Sequence, residues 1–145
     1  MLRDVLLAQI KADEGLSLSR YVDSLGYRSI GYGHLLSPGD AMYTRRVITL
    51  EEAQRLLEED ITTCIRACYI LYDDFDSFPQ KVQYVLANMA YNLGRIGLSR
   101  FVRMHAAITA RNWVKAAQEM RDSTWYHQVG HRAERLAHEM ETAGL

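Results

Sequence analysis

A chain of 145 residues with 48% hydrophobic and 24% charged side chains has the size and make-up of one soluble globular domain. It is long enough to bury roughly 68–70% of its extended surface without staples. Its net charge of −1 supplies no global field for nucleic acid, and no stretch reaches the ~18 apolar residues of a membrane span, so stable membrane insertion is not expected.

Leu2, Val5, Leu6 and Ile10 recur at helical spacing and predict a helix over 2–14, with Gly15 where a helix commonly ends. The opening MLRDVLLAQIKADEG is no secretory signal: Asp4 interrupts a short apolar run and no small-residue cleavage site follows. From Leu16 the pattern changes. Leu16, Leu18, Tyr21 and Val22 read as a strand, DSLG as a turn, YRSIGYG as a returning strand and SPGD as a loop. Thr49 and Glu52 form a capping box that opens a long helix with Leu50, Ala53, Leu56, Leu57, Ile61, Cys64, Ile65 and Cys68 on its apolar side. YDDFDSFP breaks it, and Pro79 suits the first turn of the next helix. That helix carries Val82, Val85, Leu86, Met89, Ala90 and Leu93 and is expected to stop at Gly94, with shorter helices around 101–110, 113–122 and 131–142.

Cys64 and Cys68, four apart on one helical face, read as small apolar core residues in a reducing compartment. His127 and His131 have the i, i+4 spacing of metal ligands but lack an evident third, so no metal or cofactor is expected. Trp113 and Trp125 read as core. Basic residues gather towards the C-terminal half (Arg95, Arg100, Arg103, Arg111, among others), a local asymmetry suited to an anionic surface.

Glu14 and Asp23 are the residues that suggest chemistry. Glu14 ends a helix, where the backbone carbonyls make the field negative and disfavour a carboxylate by roughly 0.3–1 kcal/mol; Asp13 adds like charge. Both effects favour a protonated Glu14, as a general acid requires. Asp23, in a polar turn, is expected to stay ionised. Two carboxyl groups in unlike surroundings suit glycoside hydrolysis, although solvated surface acids would show the same spacing. Ser29, on the returning strand six residues after Asp23, could share a bridging water with it.

The segments DEG (13–15), Y-x-D (21–23) and GYRSIGYGHLL (26–36), then VITLEEAQRLLEEDI (47–61), NMAYNLG (88–94), NWVKAAQEM (112–120) and STWYHQVGHRAERL (123–136), closely resemble the phage-type lysozymes of glycoside hydrolase family 24. The likeness runs in order over nearly the whole chain. It implies an α+β, mostly α, lysozyme-like two-lobed fold. A small antiparallel β-sheet lobe would span about 15–48, a linking helix about 50–71, and a helical lobe 1–14 with about 72–145. The segment between Leu36 and Val47 is shorter than in the family's type member, which trims the small lobe.

Roles follow from the same resemblance. Glu14 falls on the catalytic acid, Asp23 on the second carboxyl, and Ser29 on a position where the type member has Thr, which helps hold the attacking water. His34 falls on a structural histidine bridging sheet and loop, Arg132 on an arginine that pairs with the catalytic glutamate, and Leu35 and Tyr91 on saccharide contacts. Tyr91 stands in place of Phe and keeps a flat face. Met104 and Glu119 fall on two further sugar-contact positions but do not match in type, and no role is carried over to them.

The implied activity is a muramidase acting on peptidoglycan, and the implied role an endolysin. It would act as a monomer without cofactor, wait in the host cytoplasm and depend on a holin to reach the wall. A lytic transglycosylase, which manages with one acid, and a catalytically silent peptidoglycan-binding or virion module are the alternatives. Retention of Glu14, Asp23 and a hydroxyl at Ser29 favours hydrolysis.

Overall fold

The structure is a computed structural model and describes residues 2–145. It is 64% helical with a small antiparallel sheet, an α+β chain dominated by helix. By its internal contacts it forms two compact units, Arg3–Thr63 and Cys64–Leu145.

The first unit opens with α1 (Leu2–Glu14), on which Leu6 and Ile10 are fully buried. A three-stranded sheet follows, with strands β1 (Ser17–Val22), β2 (Arg28–Gly31) and β3 (His34–Leu35) in that order. Tyr21 pairs with Ser29 and Val22 with Arg28; on the other edge of β2, Ser29 pairs with Leu35 and Ile30 with His34. A register irregularity between Ser17 and Tyr21 bends β1, and Ser19 bridges to Val47 beyond it. Arg20 crosses from β1 to hold the 43–46 segment, its guanidinium donating to the carbonyls of Tyr43 and Arg45.

Helix α2 (Leu50–Leu71) begins at the capping box read from the sequence: Thr49 N–H donates to Glu52 Oε1 (3.0 Å) and Glu52 N–H to Thr49 Oγ1 (3.1 Å). Arg45 adds a forked pair to Glu52, 2.9 Å on each side. These hydrogen bonds, Arg45 first and the Thr49 amide next, hold the Glu52 carboxyl down to about 2. Ala53, Leu56, Leu57, Ile61, Cys64 and Cys68 are buried as their spacing predicts, whereas Leu50 is half exposed in the first turn.

In the second unit a 3₁₀ turn (Phe75–Ser77) leads through Pro79 to α3 (Gln80–Ser99). Residues Val85 to Ala90 are buried on every side of α3, the mark of a central helix. Gly94 interrupts α3 where the sequence reading ends the helix, and a second helical stretch follows to Ser99. Gly94 takes φ +75°, a conformation that glycine alone adopts easily. Helices α4 (Val102–Thr109), α5 (Trp113–Arg121), α6 (Thr124–Val129) and α7 (His131–Glu141) complete the unit, α5 packing against both α4 and α7. Helix α6 is an addition to the predicted set; it is one short turn capped by Ser123, whose hydroxyl accepts from Tyr126 N–H. Phe75, Phe78, Tyr72 and Trp113 form an edge-to-face aromatic cluster, with the Arg111 guanidinium 4.7 Å from the centre of the Phe78 ring. Among the described residues no helix is long and apolar enough to cross a membrane.

Candidate active site

Glu14 is the last residue of α1, and Gly15 N–H closes the helix by donating to Lys11 C=O (3.0 Å). The side chain is half-buried. It lies on the turn that joins β2 to β3, close against the backbone of Gly33. Within that turn Tyr32 is buried, with Lys11 Nζ 5.7 Å from its ring centre and Gln54 Nε2 donating to its hydroxyl (3.4 Å). The N-terminal helix and the sheet are thereby held together by the Gly-x-Gly-His stretch.

Asp23 starts the β1–β2 hairpin turn. Its Oδ1 accepts from the amides of Leu25 (2.9 Å) and Tyr27 (2.8 Å), the local bonding that short acidic side chains make in turns. Its own N–H donates to Tyr27 C=O at 2.8 Å, so backbone and side chain close the turn together. Oδ2 takes no hydrogen bond from the described residues, and the carboxylate is half-buried. Ser29 sits on the central strand opposite Tyr21, two residues before Asp23. It is 1% exposed, and its Oγ has no hydrogen-bond partner among the described residues. A buried hydroxyl in that state is unusual, because each unsatisfied group costs about 1–3 kcal/mol.

His34 sits between two carboxylates. Its Nδ1 is 2.6 Å from Asp60 Oδ2 on α2 and its Nε2 is 2.5 Å from Asp40 Oδ2 in the loop. Both ring nitrogens donate only in the imidazolium form. Burial works against that charge, but the hydrogen bonds and charges of Asp60, then of Asp40, outweigh it and raise the pKa to about 8. Asp40 also caps its own loop through Met42 N–H (2.7 Å). Leu35, next along β3, is 49% exposed, which leaves an apolar face open to solvent.

The remaining sequence candidates lie in the second unit. Tyr91 is half-buried on α3. Arg132, on α7, donates from Nε to Oδ1 of the fully buried Asn88 (2.9 Å), which fixes the guanidinium against α3. The two positions to which no role was carried have structural occupations: Met104 is core, and Glu119 pairs with Lys115 Nζ at 3.1 Å. Trp125 is buried and donates to Asn92 Oδ1 (2.7 Å). Cys64 and Cys68 are buried and not joined in a disulfide; burial, with Cys64 as a minor contributor, pushes the Cys68 thiol well up, so it carries no thiolate near neutral pH.

The structure therefore gathers Glu14, Asp23, Ser29, His34 and Leu35 in one unit, on a helix end, a hairpin and a short third strand. Sequence reasoning missed Gly33 as a neighbour of Glu14, and Asp40 and Asp60 as the partners of His34. The Gly-x-Gly-His stretch signalled a special turn, but not what it lies against.

The phage lysozyme family model matches residues 11–140. The pre-baseplate central spike protein Gp5 of Enterobacteria phage T4 is 31% identical over 94% of this chain, which spans 27% of that protein. Probable T4-type lysozyme 1 of Dictyostelium discoideum is 27% identical, with 94% of this chain and 93% of the relative covered. Peptidoglycan hydrolase gp36 of Pseudomonas phage phiKMV is 32% identical over 88% of this chain, which corresponds to 14% of its length. With a helix-end glutamate, a hairpin aspartate and a mostly helical α+β fold already in place, a match over nearly the whole chain leaves one assignment: the chain belongs to the phage lysozyme family.

Proposed function

We propose that the chain is a muramidase that hydrolyses the β-1,4 bond between N-acetylmuramic acid and N-acetylglucosamine in peptidoglycan. Membership of the phage lysozyme family supports a lysozyme hydrolase, and the phiKMV relative is named a peptidoglycan hydrolase. In this reading Glu14 protonates the leaving oxygen, and Asp23 and Ser29 position the water. The observation that carries it is the unlike bonding of the polar groups on the hairpin. Two amides orient Asp23 through one oxygen, and Ser29 keeps a buried hydroxyl with no partner among the described residues. Such a pair suits a bound water, because a hydroxyl can donate to one neighbour and accept from another.

Leu35 and Tyr91 as saccharide contacts, and His34 and Arg132 as supporting residues, belong to the same reading. So does the biological role: an endolysin for host cell lysis, monomeric, kept in the host cytoplasm until a holin opens the way to the wall. Turbidity clearing of permeabilised Gram-negative cells, followed by mass spectrometry of the released fragments, tests the proposal. Hydrolysis leaves reducing ends that carry one added water. Anhydro ends would identify a lytic transglycosylase, and wall binding without clearing would identify a silent module.

A further inference from the structure

Gly31 and Gly33 flank Tyr32 in the turn from β2 to β3, with φ of +69° and +74°. At Gly31 a side chain would meet Ile48 and Ala53 at ordinary contact distances, 3.4 and 3.5 Å. At Gly33 a Cβ would stand 2.7 Å from both Cδ and Oε1 of Glu14 and 3.0 Å from its Cγ. Carbon atoms pack at about 3.5–4.0 Å, so the two cannot share that space. The obstructing atoms are the far end of a flexible side chain. The overlap would be relieved by swinging the Glu14 carboxyl aside, with little backbone movement. Folding stability would register little of the collision, and the position of the carboxyl would register nearly all of it.

We propose that Gly33 is a positioning residue for the reaction: the side chain it lacks is the space in which the Glu14 carboxyl is held. This gives the second glycine of the Gly-x-Gly-His stretch a role beyond its backbone conformation. The inference rests on the reading of Glu14 as general acid. A proton donor must lie within about 2.6–3.2 Å of the atom it protonates, and a misplacement of about 1 Å at a reacting centre can lower the rate about 100-fold.

The test separates the collision from the strain of a positive φ. Gly130, between α6 and α7, has φ +77° and open space where its Cβ would be. Gly33→Ala, Gly33→Asn and Gly130→Ala are compared by thermal melting and by kcat and KM on soluble peptidoglycan fragments. Gly33→Ala should lose about 100-fold in kcat with KM nearly unchanged. Gly33→Asn should melt higher than Gly33→Ala, because asparagine tolerates positive φ, yet remain as slow. Gly130→Ala should melt lower than the parent and keep its kcat.

Parent-like kcat per folded molecule in Gly33→Ala overturns the proposal. So does recovery of kcat in Gly33→Asn, a loss carried by KM alone, or an equal loss of kcat in Gly130→Ala. Glu14→Gln tells the two levels apart. If Glu14→Gln turns over like the parent, the acid assignment itself falls. If it is inactive while Gly33→Ala is parent-like, only the role of Gly33 falls.

Discussion

Particular buried polar groups of the two units differ in how they are partnered. In the second unit several are matched by protein groups. Trp125 Nε1–H donates to Asn92, and Arg132 reaches the buried Asn88. His105 Nε2–H donates to Leu98 C=O (2.8 Å) while its Nδ1 accepts from the Tyr72 hydroxyl, an arrangement that needs the neutral ring. Burial, only partly opposed by the Leu98 contact, lowers the His105 pKa and keeps it neutral. In the first unit the Ser29 hydroxyl is buried without a partner, and one oxygen of Asp23 is unengaged among the described residues. There the Glu14 carboxyl also occupies the space that a Cβ at Gly33 would take. A sequence optimised for stability alone would remove such features, so their presence together on the helix end, the hairpin and the following turn points to another demand there.

That contrast can be broken by substitution, starting where the effect should be largest. Glu14→Gln removes the transferable proton and should abolish lysis, a loss of at least about 10²–10⁴-fold. Its melting temperature should equal or exceed the parent's, because an ionisable carboxyl group leaves the negative end of α1. Lysis at the parent rate would contradict the assignment. Ser29→Ala should lower kcat about 100-fold without lowering stability, because among the described residues the hydroxyl has no protein hydrogen bond to lose. Ser29→Thr should retain substantial activity. A clear drop in the melting temperature of Ser29→Ala would instead show that the hydroxyl is bonded in the folded protein.

A smaller effect is expected from pH. The folded His34 pKa of about 8 lies above its ordinary value of 6.5, so its contribution to stability is complete below 6.5 and lost as pH rises through 8. The difference corresponds to about 2 kcal/mol. Urea unfolding at about pH 6 and about pH 9 measures it, and His34→Asn should flatten the profile. An unchanged difference in that variant would assign the pH dependence to other groups. The smallest effect should come from Trp125→Phe in the second unit. Losing the Asn92 bond should cost about 1 kcal/mol and leave kcat per folded molecule at the parent value. A loss of kcat there would erase the distinction between the units.

What the sequence reveals follows the range of the interaction. The capping box at Thr49 and Glu52 is legible because both partners lie within one turn. The α1, α2 and α3 cores are legible because burial follows helical spacing. Strand β3 is two residues long and exists only through its pairing with β2, so no local pattern announces it. Helix α6 is short, and its one local signal, Ser123 as N-cap, lies in a stretch without strong periodicity. Glu14 and Asp23 stand out by residue type and by the resemblance. The seats of Glu14 and His34 do not: Gly33 is 19 residues from Glu14, and Asp60 is 26 residues from His34. Such contacts depend on how a helix end, a turn and α2 meet in space, which periodicity cannot encode.

The hairpin at Asp23 has a bearing on how its substitutions should be interpreted. One carboxylate oxygen is part of the backbone's own architecture, the template on which the amides of Leu25 and Tyr27 are arranged. Only the other is left for a reacting molecule, so under the proposed function the residue would work as a one-oxygen group. Alanine at this position would dismantle the turn and delete the charge together, and would overstate the chemical weight of the acid. Asparagine can keep an oxygen for the two amides while surrendering the charge. The gap between those two variants measures how much of Asp23 is scaffold and how much is reagent.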